Sequence, residues 1–138
     1  MQKTANADST ASPVIPTTPV LDWRHAHENC RAVARRAAAL DHEIGRALLD
    51  AERARVCVYL GYGGIIEYGE RLFGFAPKLT LERLRVTAAL ESLPQVDQAL
   101  AAGRLCYSAV RELTRVAVAE TEAEWLAAAA GKAVREIE

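Results

Sequence analysis

The sequence predicts an all-α chain, one long N-terminal helix followed by a bundle of short helices containing a helix-turn-helix-like unit. Three observations predict it. Ala and Arg are abundant and β-branched runs are few, a balance that favours helix. Apolar residues recur at steps of mostly three and four from Trp23 to Val58. Beyond that, Gly and Pro divide the chain into segments of short-helix length.

The 138 residues amount to one domain, with residues 1–20 as a disordered leader and 21–138 as a single helical domain. Hydrophobic residues make up 51% of the chain and aromatics only 6%, so much of the apolar content is Ala. With net charge −1 and a pI near 6.3, the chain is no polycation, which excludes strong nonspecific nucleic-acid binding through bulk charge. No run approaches the ~20 apolar residues of a membrane helix, and the N-terminus lacks a signal-peptide core. A cytoplasmic location without membrane attachment is expected. Cys30, Cys57 and Cys106 form no CxxC pair and no zinc spacing with His25, His27 or His42, and are expected as buried thiols.

The leader is rich in Ser, Thr and Ala, and Pro13, Pro16 and Pro19 rule out a continuous helix there. Asp22 can cap the long helix that follows. Its apolar seam comprises Trp23, Ala26, Cys30, Val33, Ala37, Leu40, Ile44, Ala47, Leu48, Ala51, Ala54 and Val58. Unbroken, that helix would extend roughly 50 Å. Part of the seam then meets a second chain, as in a homodimer, or a missing domain, or else the seam folds onto its own domain as a kinked pair bent at Gly45 or near Asp41. Both readings stay open. The other face mixes Arg and acids, and only Arg31-Arg35-Arg36 is locally of one sign, as a phosphate contact would be.

Gly61-Tyr62-Gly63-Gly64 ends this element. It lacks the flanking strand and the GK[ST] of a phosphate loop. Ile65 to Phe73 forms a short helix, Gly74-Phe75-Ala76-Pro77 a tight turn, and Lys78 to Leu93 a longer helix. In that helix Leu79, Val86, Leu90 and Leu93 share one side and Leu81, Leu84 and Ala88 nearly the opposite one, which predicts a sandwiched, central element. Pro94 opens and Gly103 closes another helix. Ser108 to Ala117 forms the next, and Thr121-Glu122-Ala123-Glu124 reads as a capping box through Trp125 and Leu126, with Gly131 ending that helix. The closing KAVREIE starts a new amphipathic pattern.

Small helices joined by tight turns are how helix-turn-helix readers are built. The DNA contacts expected on that reading are Lys78, Arg83, Arg85, Arg104 and Arg111. The span from Lys78 to Arg115 carries six basic and four acidic residues, a net +2. The same charges also fit an ordinary solvated face. No acid–base pair, nucleophile dyad or metal cluster can be assembled, so no catalytic residue, metal, cofactor or small-molecule substrate is expected.

The pieces GYGGIIEYGERLFGF, LPQVDQALAAGRLCYSAVRELTRVA and ETEAEWL resemble the N-terminal helical region of a bacterial family whose members carry an HNH endonuclease domain near the C-terminus. The likeness covers about Ala39 to Glu138. It implies a DNA-associated protein whose metal-dependent cleavage resides in a module absent from these residues. On this likeness, the chain is the N-terminal module of a longer protein. A looser similarity is to the helix-turn-helix region of ParB-type partition proteins, in the phrase Leu93-Pro94, Val96, Leu100, Gly103, Leu105, Ser108 and Leu113. The helix before that phrase is about a turn longer here. The rival functional reading is a protein-interaction or dimerisation module without DNA.

Overall fold

The computed structural model describes residues 21–130. The expected leader and the KAVREIE segment lie outside the described residues. The described chain folds as α1 (Trp23–Arg53), α2 (Val56–Leu60), α3 (Ile65–Phe73), α4 (Pro77–Leu90), α5 (Pro94–Ala101), α6 (Tyr107–Val116) and α7 (Glu122–Ala129), with no strand among the described residues. No helix there is long and apolar enough to cross a membrane.

Asp22 caps α1 as expected, its Oδ1 accepting from the Arg24 amide at 3.2 Å. The helix then continues for 31 residues, about 46 Å at ~1.5 Å per residue. It runs unbroken through Asp41 and Gly45. It stops at Ala54, and Arg55 takes the left-handed conformation with φ 58°, so the final stretch of the expected helix is the separate α2. Gly45 is used differently. A Cβ built there would overlap the Thr87 hydroxyl of α4, so the missing side chain lets α1 and α4 approach closely. Gly69 of α3 plays the same part against Thr80.

These two contacts place α4 at the centre, packed on α1, α3 and α6. Its buried arc contains Thr80, Arg83, Leu84, Val86, Thr87 and Leu90. Leu81 and Ala88, expected on a second buried side, face solvent instead. The helix ends at Leu90, earlier than the expected Leu93, because a residue preceding proline disfavours the helical region. Leu93 adopts φ −129°, ψ 68° and is buried as the N-cap position of α5.

Two apolar clusters lie along the C-terminal part of α1. The larger joins Ala38 to Val86, Leu90, Leu93, Val96, Leu100, Val110, Leu113, Ala117 and Ala129, with Trp125 and Leu126 against it. The smaller joins Leu48, Leu49 and Leu84 with Ile44, Ile65, Tyr68 and Phe75. Burying each of the leucines contributes about 1.5–3 kcal/mol. The capping box expected at Thr121 does not form, since Thr121 makes no cap bond. Its hydroxyl bonds back to Val118. Glu122 turns away from its own helix and caps α5. Its buried Oε2 accepts from the Gln95 and Val96 amides at 2.9 and 3.1 Å. Two donors that α5 leaves unsatisfied therefore fasten α7 to it.

Candidate nucleic-acid interface

The five arginines and lysines expected to contact DNA do not form one surface. Arg83 is buried with its side chain 11% exposed, and its Nη2 donates to Asp41 Oδ1 at 2.9 Å. The guanidinium lies over the Phe75 and Tyr107 rings, 5.0 and 4.5 Å from their centroids. Both contacts are cation–π in kind. Its Nε and Nη1 find no partner among the described residues. Arg83 therefore ties α4 to α1 and α6, and no phosphate reaches it without unpacking Tyr107 or Phe75.

Arg85 is half-buried. It donates to Glu82 Oε1 at 2.7 Å and to the Arg111 carbonyl at 3.3 Å. That bond and the Arg85 charge hold the Glu82 carboxyl below its ordinary range, with Arg115 adding to the effect. Arg111 lies beside Glu112, 3.1 Å from Oε1. Lys78, Arg111 and Arg115 line a cleft of about 520 Å³, but Glu82 and Glu112 line it too. Its two arginines are thus paired with these carboxylates, Arg111 with Glu112 and Arg115 with both.

Arg104 lies elsewhere, and what brings it there is Gly103. This residue has φ 76°, and a Cβ on it would sit 2.8 Å from Arg35 Cα and 2.9 Å from the Arg35 carbonyl oxygen. Only glycine allows both the left-handed turn and that approach. The α5–α6 turn is thereby pressed against α1. Arg31, Arg35 and Arg104 come to line one cleft of about 460 Å³ with Ala34, Ala38, Gly103 and Cys106. No carboxylate is in this lining. Arg31 keeps one partner, Glu28 at 3.3 Å. Arg35, Arg36 and Arg104 make no ion pair among the described residues. α6 begins at the same cleft, and its N-cap residue Cys106 supplies no side-chain acceptor. The positive end of the α6 dipole is thus left open beside three guanidinium groups.

The one-signed run Arg31-Arg35-Arg36 in the sequence was a partial pointer to this cleft. The pairing with Arg104 had no local signal, since Gly103 reads equally well as a plain helix stop. The cysteines depart from expectation: Cys30 and Cys106 are exposed and Cys57 is half-buried. Among the described residues, no group of three or more His, Cys, Asp or Glu side chains is arranged to hold a metal ion. His42 instead bonds Asp97 at 2.8 Å, linking α1 to α5. Compared with protein-family models, curated proteins and solved structures, the chain finds no match.

Proposed function

We propose that this chain is the N-terminal helical module of an HNH-endonuclease-type protein, seating that protein on DNA and performing no cleavage itself. The observation that supports DNA contact is the cleft where Arg31, Arg35 and Arg104 meet with no carboxylate in the lining. Phosphate binding needs cations that are not already neutralised, and this cleft has no carboxylate in its lining. In the Lys78 cleft Glu82 and Glu112 pair with Arg111 and Arg115, and among the described residues leave Lys78 alone without an ion pair. On this reading α4 is the internal scaffold of the module. The contact surface is formed by α1 and the turn into α6. Arg85 and Arg111 contribute less because Glu82 and Glu112 pair with them, and Lys78 shares its cleft with the same two carboxylates.

The test is fluorescence anisotropy of a labelled duplex at ~50 and ~200 mM salt, with counterion release as the readout. Affinity is expected to fall with salt, with a log–log slope of about −2 to −3 for three phosphate contacts. Arg35→Ala and Arg104→Ala should each reduce that slope by about 1. No binding at ~50 mM salt, or slopes that both variants leave unchanged, would refute this reading.

A further inference from the structure

The first half of α1 extends beyond the bundle. From Trp23 to Ala37 every residue but Ala32 is exposed, and Trp23, Val33 and Leu40 are 67%, 46% and 54% exposed. A helix of about 15 residues is marginal in water without tertiary support. This one nevertheless carries an uninterrupted apolar line through Trp23, Ala26, Cys30, Val33, Ala37 and Leu40. Successive members are three and four residues apart in strict alternation, a period of 3.5. The residues α1 buries against the bundle, Ala38, Gly45, Leu48 and Leu49, belong to other positions of that repeat. The helix thus has two apolar faces, of which the bundle covers one.

A straight helix repeats at 3.6 residues per turn, so a strict 3.5 line stays on one side only when the helix winds around a second helix. We infer that the strip from Trp23 to Leu40 pairs with the same strip of a second copy of this chain, parallel and in register. Trp23, Cys30 and Ala37 then occupy the a positions and Ala26, Val33 and Leu40 the d positions. The small side chains of Ala26, Cys30 and Ala37 permit close helix approach between the larger Trp23 and Leu40.

The flanking charges favour this arrangement. The g positions are Asp22, Asn29 and Arg36, and the e positions are His27, Ala34 and Asp41. Parallel pairing sets Asp22 beside the partner's His27 and Arg36 beside the partner's Asp41, with no like-charged pair. Arg36 makes no ion pair within its own described chain, and Asp41 commits one oxygen to Arg83. An antiparallel overlay of the same strip would instead set Asp22 against the partner's Glu43.

Sedimentation equilibrium of the full chain, with no DNA present, tests the pairing independently of the DNA-binding proposal. The expected mass is twice 15.0 kDa at high concentration. Val33→Glu should return the chain to 15.0 kDa, weakening association ~100-fold or more by burying a charge in the seam. Any loss of helical circular dichroism should be limited to the exposed half of α1, with the bundle's cooperative unfolding retained. Mild oxidation should cross-link two copies through Cys30 in a Cys57→Ser, Cys106→Ser background. Orientation is read by moving the thiol in that background, with Cys30→Ser and Ala37→Cys. That variant cross-links only in parallel pairing, because an antiparallel strip sets residue 37 beside the partner's Ala26. A monomer at every concentration, or a dimer that Val33→Glu leaves intact, overturns the inference. A Val33-dependent dimer that forms no disulfide through Cys30, or none through Ala37→Cys, overturns the parallel register. Should Val33→Glu unfold, Cys30 cross-linking of the otherwise native chain decides the question.

Discussion

Replacing Arg83 by alanine or by methionine removes the same charge but leaves different shapes, and the contrast tests whether this residue acts by packing. Arg83→Ala forfeits about 2 kcal/mol of buried stem. It loses about 2 kcal/mol more from the Phe75 and Tyr107 ring contacts. The bond to the partly exposed Asp41 adds about 1 kcal/mol. Against this total of about 5 kcal/mol stands the relief of the unpartnered Nε and Nη1, worth about 2 kcal/mol. The net expectation is a loss of about 3 kcal/mol. Arg83→Met keeps the stem and places a polarisable thioether between the same two rings, while Asp41 remains hydrated at the surface. Its expected loss is about 1 kcal/mol or less. Urea unfolding followed by circular dichroism measures both, and the anisotropy titration adds a second axis. Arg83→Met should leave the salt dependence of DNA binding unchanged. Equal destabilisation by the two variants would refute the packing argument. A salt slope about 1 smaller in a stable Arg83→Met protein would refute the burial argument itself.

Three further predictions follow from the contacts described above. Gly45→Ala adds the helix propensity of alanine, worth about 1 kcal/mol, but drives a methyl into Thr87. A net loss of about 1–2 kcal/mol is expected in thermal unfolding, whereas in a Thr87→Ala background the same change should stabilise. Glu122→Ala removes the acceptor for two amides of α5. It should cost about 2–3 kcal/mol and shift Trp125 fluorescence as α7 loosens. The Glu82 carboxyl, with its pKa lowered chiefly by Arg85, gives stability that is present above the ordinary carboxylate pKa near 4.5 and is lost as pH falls through the lower folded value. Stability measured from pH 6 down to pH 3 should therefore decline less steeply in Glu82→Gln than in the parent chain.

The sequence itself determined the helical class, the start of α1 at Asp22 and most of the later helix boundaries. These are local matters. A side chain that reaches the next turn, a proline that excludes helix before it and a glycine that permits a left-handed turn all act within a few residues. The α1 seam was also legible, since a period of 3.5 needs no tertiary information to be seen.

Only the tertiary structure decided which charges remain available. In the sequence Arg83 stands among Glu82 and Arg85 while Arg104 has no charged neighbour within six residues, and neither setting tells which of the two is buried. One is enclosed between two rings and paired with Asp41 from far along the chain. The other is carried to Arg31 and Arg35 because Gly103 can touch the α1 backbone. The buried arc of α4 includes the apolar Leu84, Val86 and Leu90 that hydrophobic periodicity marked. It also takes in the polar Thr80, Arg83 and Thr87, which periodicity passes over, and it leaves Leu79, Leu81 and Ala88 exposed. Gly45 and Gly69 make room for the threonines, and neither pairing is encoded by proximity in sequence. Whether a side chain is exposed depends on what the rest of the chain brings against it, and that is settled by packing over long sequence separations.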